Sequence, residues 1–513
     1  MRFERRAGIL LHPTSLPGKF GIGDMGYEAY NFVNFLEAAG QKLWQVFPLG
    51  PTGYGDSPYQ CFSAFAGNQY ILSPEKLRDY GFLSDDDLNN VPRFDPSKID
   101  YGSVINYKIS LNKKAYDNFS KNKKGLDDEY SVFKKENEDW LNDFSLFMAA
   151  KEYHDGVEWT KWDKELVAAK KKTKEAWENK LAAAIDYFNF TQFIFDKQWS
   201  ELKDYANRKG IRIIGDIPIF VAFDSADVWS HREFFSVDKN GKLIFVAGVP
   251  PDYFSETGQL WGNPLFDWNK MENDDYLWWR KRIIKLLDLV DIIRIDHFRG
   301  FDAYWEIPGN ASNAIKGRWV KGPGEKFFDT IEKHLGKVPI IAEDLGVITK
   351  SVISLREKFE YPGMKILQFA FGTGMATKFL PHNIPFNSVV YTGSHDNDTT
   401  REFFDKAKTQ DNDIYNHARK YLNYFGDDIT FELIRAAYRT SADTVIIPMQ
   451  DILNLGGEAR MNFPGTLGSN WAWRFRWDQV PHDLTNIYKE LALLYERPPK
   501  PEKKLKEIEI EDP

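Results

Sequence analysis

Eight short apolar runs, all but one closing on a polar residue or a proline, constrain this chain more than any other feature. They span residues 9–13, 43–48, 212–216, 292–296, 340–344, 365–370, 389–396 and 444–448. Most are apolar without alternation, which predicts strands covered on both faces and hence a parallel sheet. Amphipathic segments such as 27–39 and 275–289 lie between several of them. Eight buried strands with intervening helices predict an α/β fold, a (β/α)8 TIM barrel. A ninth candidate, Ala303-Tyr304-Trp305-Glu306-Ile307, is assigned to a loop. In such a barrel, polar residues at the carboxyl ends of the strands face the active site. Asp216, Asp296, Glu343 and Asp396 all take that position.

The spacing of the runs is uneven. The chain has 513 residues, and one barrel (1–497) with large insertions accounts for most of them. More than a hundred residues separate the second and third runs, too many for a plain βα loop. Residues 52–205 are therefore expected to hold an inserted, mainly helical subdomain. A loop insertion over the site is expected at 229–270, and a loop and helical insertion at 376–442. Residues 498–513 form a charged tail, and no C-terminal β-sandwich is expected. Lys plus Arg total 67 and Asp plus Glu 75, a net charge of −8; this acidic balance argues against a nucleic-acid partner. No apolar stretch reaches the roughly 18 residues of a membrane span. One cysteine, Cys61, excludes an intramolecular disulfide framework and suits a reducing, cytoplasmic setting. The nine histidines show no HExxH-type spacing, so no metal is expected. Gly322-Pro323-Gly324 is a turn and not a phosphate loop, because no Gly-Lys-Ser/Thr follows it.

Three carboxylates carry the chemistry: Asp296, Glu343 and Asp396. Glycoside cleavage needs two carboxyls across the scissile bond, one to protonate the leaving oxygen and one to attack the sugar or activate water. Arg294 lies two residues before Asp296, on the same face of the strand, and would hold Asp296 ionised. A proton donor at Glu343 would need its pKa raised by burial or negative neighbours. Taken singly, a carboxylate near a strand end is usually a turn former, a cap or an ion-pair partner. The 39 Phe, 24 Tyr and 16 Trp suit stacking on flat, hydroxylated ligands. From the residues alone, a transferase, a hydrolase and a non-catalytic glucan binder all stay open.

An ordered set of motifs separates these readings. It includes Gly8-Ile9-Leu10-Leu11-His12-Pro13-Thr14-Ser15-Leu16, Gly53-Tyr54-Gly55-Asp56-Ser57-Pro58-Tyr59 and Gly215-Asp216-Ile217-Pro218-Ile219. The segment Gly248-Val249-Pro250-Pro251-Asp252-Tyr253-Phe254 continues to Gly258-Gln259-Leu260-Trp261-Gly262-Asn263-Pro264. The three carboxylate segments follow, then Asn462-Phe463-Pro464-Gly465-Thr466. From about Arg6 to about Tyr495 the chain resembles the amylomaltases, the 4-α-glucanotransferases of glycoside hydrolase family 77, related to the α-amylases.

The resemblance implies a retaining transfer of α-1,4-glucan segments between malto-oligosaccharides or starch- and glycogen-type chains, with no cofactor. It implies Asp296 as nucleophile, Glu343 as acid and then base, and Asp396 as the holder of two sugar hydroxyls. Arg294, His395 and Asp216 would support these three. Tyr59, Ser57, His297, Trp261, Asp344 and Asn462 would line sugar subsites, and Tyr54 is a candidate for a glucan contact away from the centre. The aromatic loop from Phe245 to Pro264 is the expected gate against water. A monomer or weak homo-oligomer is expected.

Overall fold

The computed structural model describes residues 3–251, 255–372, 374–426 and 429–497, with the backbone alone for residue 54 and residues 374–376. Asp252, Tyr253 and Phe254 of the loop motif and the tail 498–513 lie outside the described residues. Twelve strands occur among the described residues: β1 (Arg6–Leu10), β2 (Leu43–Gln45), β3 (Arg212–Pro218), β4 (Phe245–Val249), β5 (Gln259–Pro264), β6 (Ile292–Asp296), β7 (Ala303–Pro308), β8 (Arg318–Lys321), β9 (Ile340–Ala342), β10 (Gly363–Ile366), β11 (Ser388–Tyr391) and β12 (Thr444–Pro448).

Eight of these close a parallel barrel in the order β1-β12-β11-β10-β9-β6-β3-β2. The eight runs read from the sequence are its strands, within a few residues at each end. The ring closes where Arg6 to Leu10 pair in register with Thr444 to Pro448. Burial on both faces explains the unbroken apolar runs: the side chains of Ile213, Ile293, Ile341, Val390 and Ile446 are all at most 1 % exposed. Between the strands, the predicted segments fold as the helices Tyr27–Ala38 and Leu277–Leu289.

A second sheet stands outside the barrel, antiparallel, in the order β5-β4-β7-β8. The 303–307 segment therefore forms strand β7 of this sheet rather than a loop. It pairs with β4, so that Gly248 faces Trp305 and Val246 faces Ile307. The 229–270 insertion supplies β4 and β5, and β7 begins seven residues after Asp296. This sheet is thus fastened to the chain just beyond the end of β6.

Between β2 and β3 the chain forms a helical layer. Its longest members are Tyr101–Lys121, Glu138–Tyr153 and Ala182–Arg208. The last packs on the barrel through Trp199, fully buried, whose indole N–H donates to the Leu289 carbonyl at 2.6 Å. Among the described residues, no helix is long and apolar enough to cross a membrane.

Candidate active site

A cleft of about 1020 Å³ opens over the carboxyl ends of the barrel strands, and Asp296, Glu343 and Asp396 all line it. Asp296 is the last residue of β6, and Glu343 follows the last residue of β9. Ile295 pairs with Ala342 across these two strands, and the Glu343 N–H donates to the Ile295 carbonyl at 3.0 Å. The two carboxylates therefore stand side by side on adjacent strand ends, where parallel strands run about 4.8 Å apart.

The turn after Asp296 orients Glu343. His297 adopts a left-handed backbone, φ 52°, uncommon for a residue with a side chain and a cost accepted where function holds it. That conformation points its N–H at Glu343 Oε2, 2.8 Å away, while the Leu345 N–H reaches Oε1 at 2.9 Å. Both oxygens of Glu343 are thus held by backbone.

Behind Asp296 lies a chain of polar contacts. In register, Asp216 of β3 pairs with Arg294 of β6, and their side chains form an ion pair. The other arm of Arg294 reaches Asp296 Oδ1 at 3.1 Å. The Tyr59 hydroxyl donates to Asp216 Oδ2 at 2.7 Å. Burial raises the carboxyls of Asp296 and Glu343 above the ordinary range. Around Asp296, Arg294 opposes that rise, and Asp216, Glu343 and Asp396 add to it. Asp296 touches the Arg294 guanidinium, which favours its carboxylate form, while Arg294 and the N–H groups of Leu345 and His297 oppose the rise at Glu343.

Asp396 sits on the turn after β11. The Asn462 amide donates to its Oδ1 at 2.6 Å, and His395 Nε2 lies 3.5 Å from the same oxygen. Burial keeps His395 below its ordinary pKa, hence neutral. Its ring stacks on Tyr59 with centroids 5.1 Å apart.

The remaining sequence candidates divide. Ser57, Tyr59, Trp261, His297 and Asn462 line the cleft together with Arg294 and His395. Trp261 meets the His297 ring edge to face at 4.8 Å. Asp216 stands behind Arg294 and does not line the cleft. Nor does Asp344: its carboxylate turns away, accepts the Met364 N–H at 2.7 Å and lies 3.3 Å from Arg356. Alternation along an extended chain is the reason, since Glu343 and Asp344 point to opposite sides. A Cβ at Gly363 would come within 2.4 Å of the Asp344 carboxylate, so only glycine lets that contact form. Tyr54 lies in the turn Tyr54–Asp56, and its side chain is outside the described residues.

Sequence reasoning missed Arg460. Its guanidinium donates to the Asp396 carbonyl at 2.8 Å and the Asn462 carbonyl at 2.9 Å, and pairs with Asp398. It also missed Trp471, which packs against both Tyr59 and His395. The aromatic pair Trp471 and Trp473, just past the Asn462 motif, was the available signal. Among the described residues, no group of three or more His, Cys, Asp or Glu could hold a metal ion.

The chain is similar to known proteins over nearly its whole length. The chain is 45 % identical over 502 residues to a 4-alpha-glucanotransferase of Synechocystis, covering 96 % of this chain and 98 % of that protein. It is 47 % identical over 483 residues to a 4-alpha-glucanotransferase of Thermus thermophilus, covering 92 % and 95 %. Among solved structures, an amylomaltase from Streptococcus agalactiae in complex with acarbose superposes with a TM-score of 0.93 at 40 % identity, covering 96 % of this chain and all of that one. Residues 11–480 match the family described as 4-alpha-glucanotransferase, Glyco_hydro_77, and the chain belongs to that family.

Proposed function

We propose that the protein moves α-1,4-glucan segments from one malto-oligosaccharide or starch-type chain to another with retention of configuration. In the first step an Asp296 oxygen bonds to C1 of the donor sugar as the glycosidic C–O bond breaks. Glu343 gives its proton to the leaving oxygen. In the second step Glu343 takes the proton of an acceptor hydroxyl, whose oxygen displaces Asp296. One α-1,4 bond replaces another, so no redox partner or nucleotide enters the balance. Asp396, held by Asn462, accepts hydrogen bonds from the donor sugar. A chain long enough to fold back can present its own hydroxyl, giving cyclic products.

The pairing of Asp296 with Glu343 on adjacent strand ends carries this reading. Retaining enzymes hold the two carboxyls about 5–5.5 Å apart, whereas inverting enzymes need room for a water between them. Neighbouring strands supply the shorter span. Preference for a sugar acceptor over water requires exclusion of solvent and an oriented acceptor. The β4–β5 hairpin supports that requirement, since it puts Leu260 and Trp261 on the cleft wall. The single-cysteine composition of the chain supports action in the cytoplasm.

The test is a product ladder from maltotriose, resolved by chain length over time. Glucose together with chains longer than three units is expected. Glucose and maltose alone would replace transfer with hydrolysis.

A further inference from the structure

Asp396 stands near the middle of the loop from Thr392 to Thr400, which joins β11 to the helix Thr400–Gln410. Ser394 and Asn397 close its tip: the Ser394 N–H and hydroxyl both donate to Asn397 Oδ1 at 2.9 Å. Packing supports this loop only in part. Ser394, Asn397 and Thr399 face a cavity of about 20 Å³, room for about one water, which Gln450 and Asp451 also line.

Both ends of the loop are tied to one buried carboxylate. Asp451 belongs to the short helix Met449–Ile452, which follows β12 directly. Strand β12 lies beside β11, with Ile446 opposite Tyr391. From there Asp451 Oδ2 accepts the Thr392 hydroxyl at 2.5 Å and the Thr400 hydroxyl at 2.6 Å, and its Oδ1 accepts the Thr400 N–H at 2.7 Å. All three residues are buried, and none of them lines the cleft.

A second tie comes from the end of β10. The Gln368 N–H donates to the Thr392 carbonyl at 3.1 Å. Its side-chain amide donates to the Asp398 carbonyl at 2.9 Å and to the Thr400 hydroxyl at 3.4 Å. The Thr400 hydroxyl thus receives from Gln368 and gives to Asp451. A carboxylate suits this junction because both its oxygens accept, whereas an asparagine would turn an NH2 group toward one of the donors. Buried and fully satisfied, such a network fixes one geometry.

We propose that Asp451 is a positioning residue for Asp396: it clamps both ends of the loop so that the Asp396 carboxylate meets the donor sugar in register. The role rests on the glucan-transfer reading, in which Asp396 accepts hydrogen bonds from that sugar.

The test is a double-mutant cycle on the full chain. It is read as fluoride release from α-maltosyl fluoride, a donor reactive enough to keep weakened variants measurable. Asp451→Asn should lower kcat by about 10-fold and Asp451→Ala by about 10²-fold, as for a misplacement near 1 Å. KM should stay within about threefold, because hydrogen bonds to sugar hydroxyls strengthen in the transition state. In protein already carrying Asp396→Asn, the same changes should cost at most about twofold, since nothing is left to position. Thr392→Val decides the matter if the Asp451 variants fail to fold: it removes one donor, and should cost about fivefold alone and nothing further beside Asp396→Asn. Equal losses in both backgrounds overturn the proposal and leave Asp451 a purely structural residue. A kcat within about twofold of the unmutated protein's in folded Asp451→Ala overturns it too. Fluoride release that Asp396→Asn leaves unchanged, or none from the unmutated protein, overturns the role of Asp396 in glucan transfer and this one with it.

Discussion

Arg294 serves two carboxylates at once, Asp216 behind it and Asp296 beside it, and this sharing sets the charge state of the site. Replacing Glu343 by Gln should lower transfer from malto-oligosaccharides by about 10³-fold or more, at the upper part of the range general acid–base catalysis supplies. Release of fluoride from an α-maltosyl fluoride in the first step should largely survive, because fluoride leaves without a proton, while the onward transfer to a sugar acceptor should stay slow for want of the base. The alkaline limb of the pH–rate profile should vanish with that donor; its persistence would assign the limb to another group. Asp296→Asn should abolish both reactions. A buried histidine gives a separate test. Burial pulls His12 from 6.5 down to about 3, and its Nδ1 accepts the Phe47 N–H at 3.2 Å, which requires a neutral ring. Below pH 6.5 the unfolded ring gains a proton that the folded ring refuses until about pH 3. Stability is therefore unpenalised above 6.5 and is lost as pH falls through that window, by about 2 kcal/mol at pH 5. His12→Gln should remove that part of the difference between urea unfolding at pH 7 and pH 5. The contact between Asp296 and Arg294 was legible because they share one strand and one face. Arg460 was not, because two of its partners are backbone carbonyls, which any sequence provides, and the third, Asp398, is distant along the chain.

The barrel strands were readable one by one because each is buried on both sides and needs no distant partner to look apolar. The outer sheet escaped for the opposite reason. Phe245-Val246-Ala247-Gly248-Val249 and Gln259-Leu260-Trp261-Gly262-Asn263-Pro264 carry glycine and proline, and β4 finds β7 only after some fifty residues of intervening chain. Their strand character comes from pairing, which is a tertiary fact. In the proposed mechanism the hairpin of β4 and β5 is the element that favours sugar over water as acceptor. Trp261→Ala should raise the share of hydrolysis in the maltotriose ladder, seen as glucose and maltose accumulating without longer chains. An unchanged ratio would place the solvent barrier elsewhere. The 457–470 connection is the counterpart on the other wall, fastened by Arg460 to the carbonyls of Asp396 and Asn462. Arg460→Ala should lower kcat by about 10²-fold, the scale of a misplacement near 1 Å, with a smaller change in melting temperature than in rate.

At the scale of the molecule, the barrel is closed by β1 on β12, and two arginines lock that seam from below. Arg497 is fully buried and donates to the carbonyls of Tyr438, Ala442 and Asp443, among others; Arg5 reaches Ala442 and Thr440 from the other end of the chain. Arg497→Ala would remove several buried charge-assisted hydrogen bonds and leave the carbonyls of Tyr438, Thr440 and Ala442 to Arg5. A loss of about 3 kcal/mol is expected in urea unfolding, with KM for maltotriose unchanged; a shift in KM would mean that the seam is coupled to the cleft. Both arginines lie at the amino ends of the barrel strands, because Asp443 immediately precedes β12 and Arg5 precedes β1. The cleft lies at the carboxyl ends. The first and last described residues therefore leave from the side of the barrel facing away from the substrate. Tethering the protein to a resin or a sensor chip by either end should leave the cleft turned outward, free to take hold of polymers too large to diffuse into a crowded support.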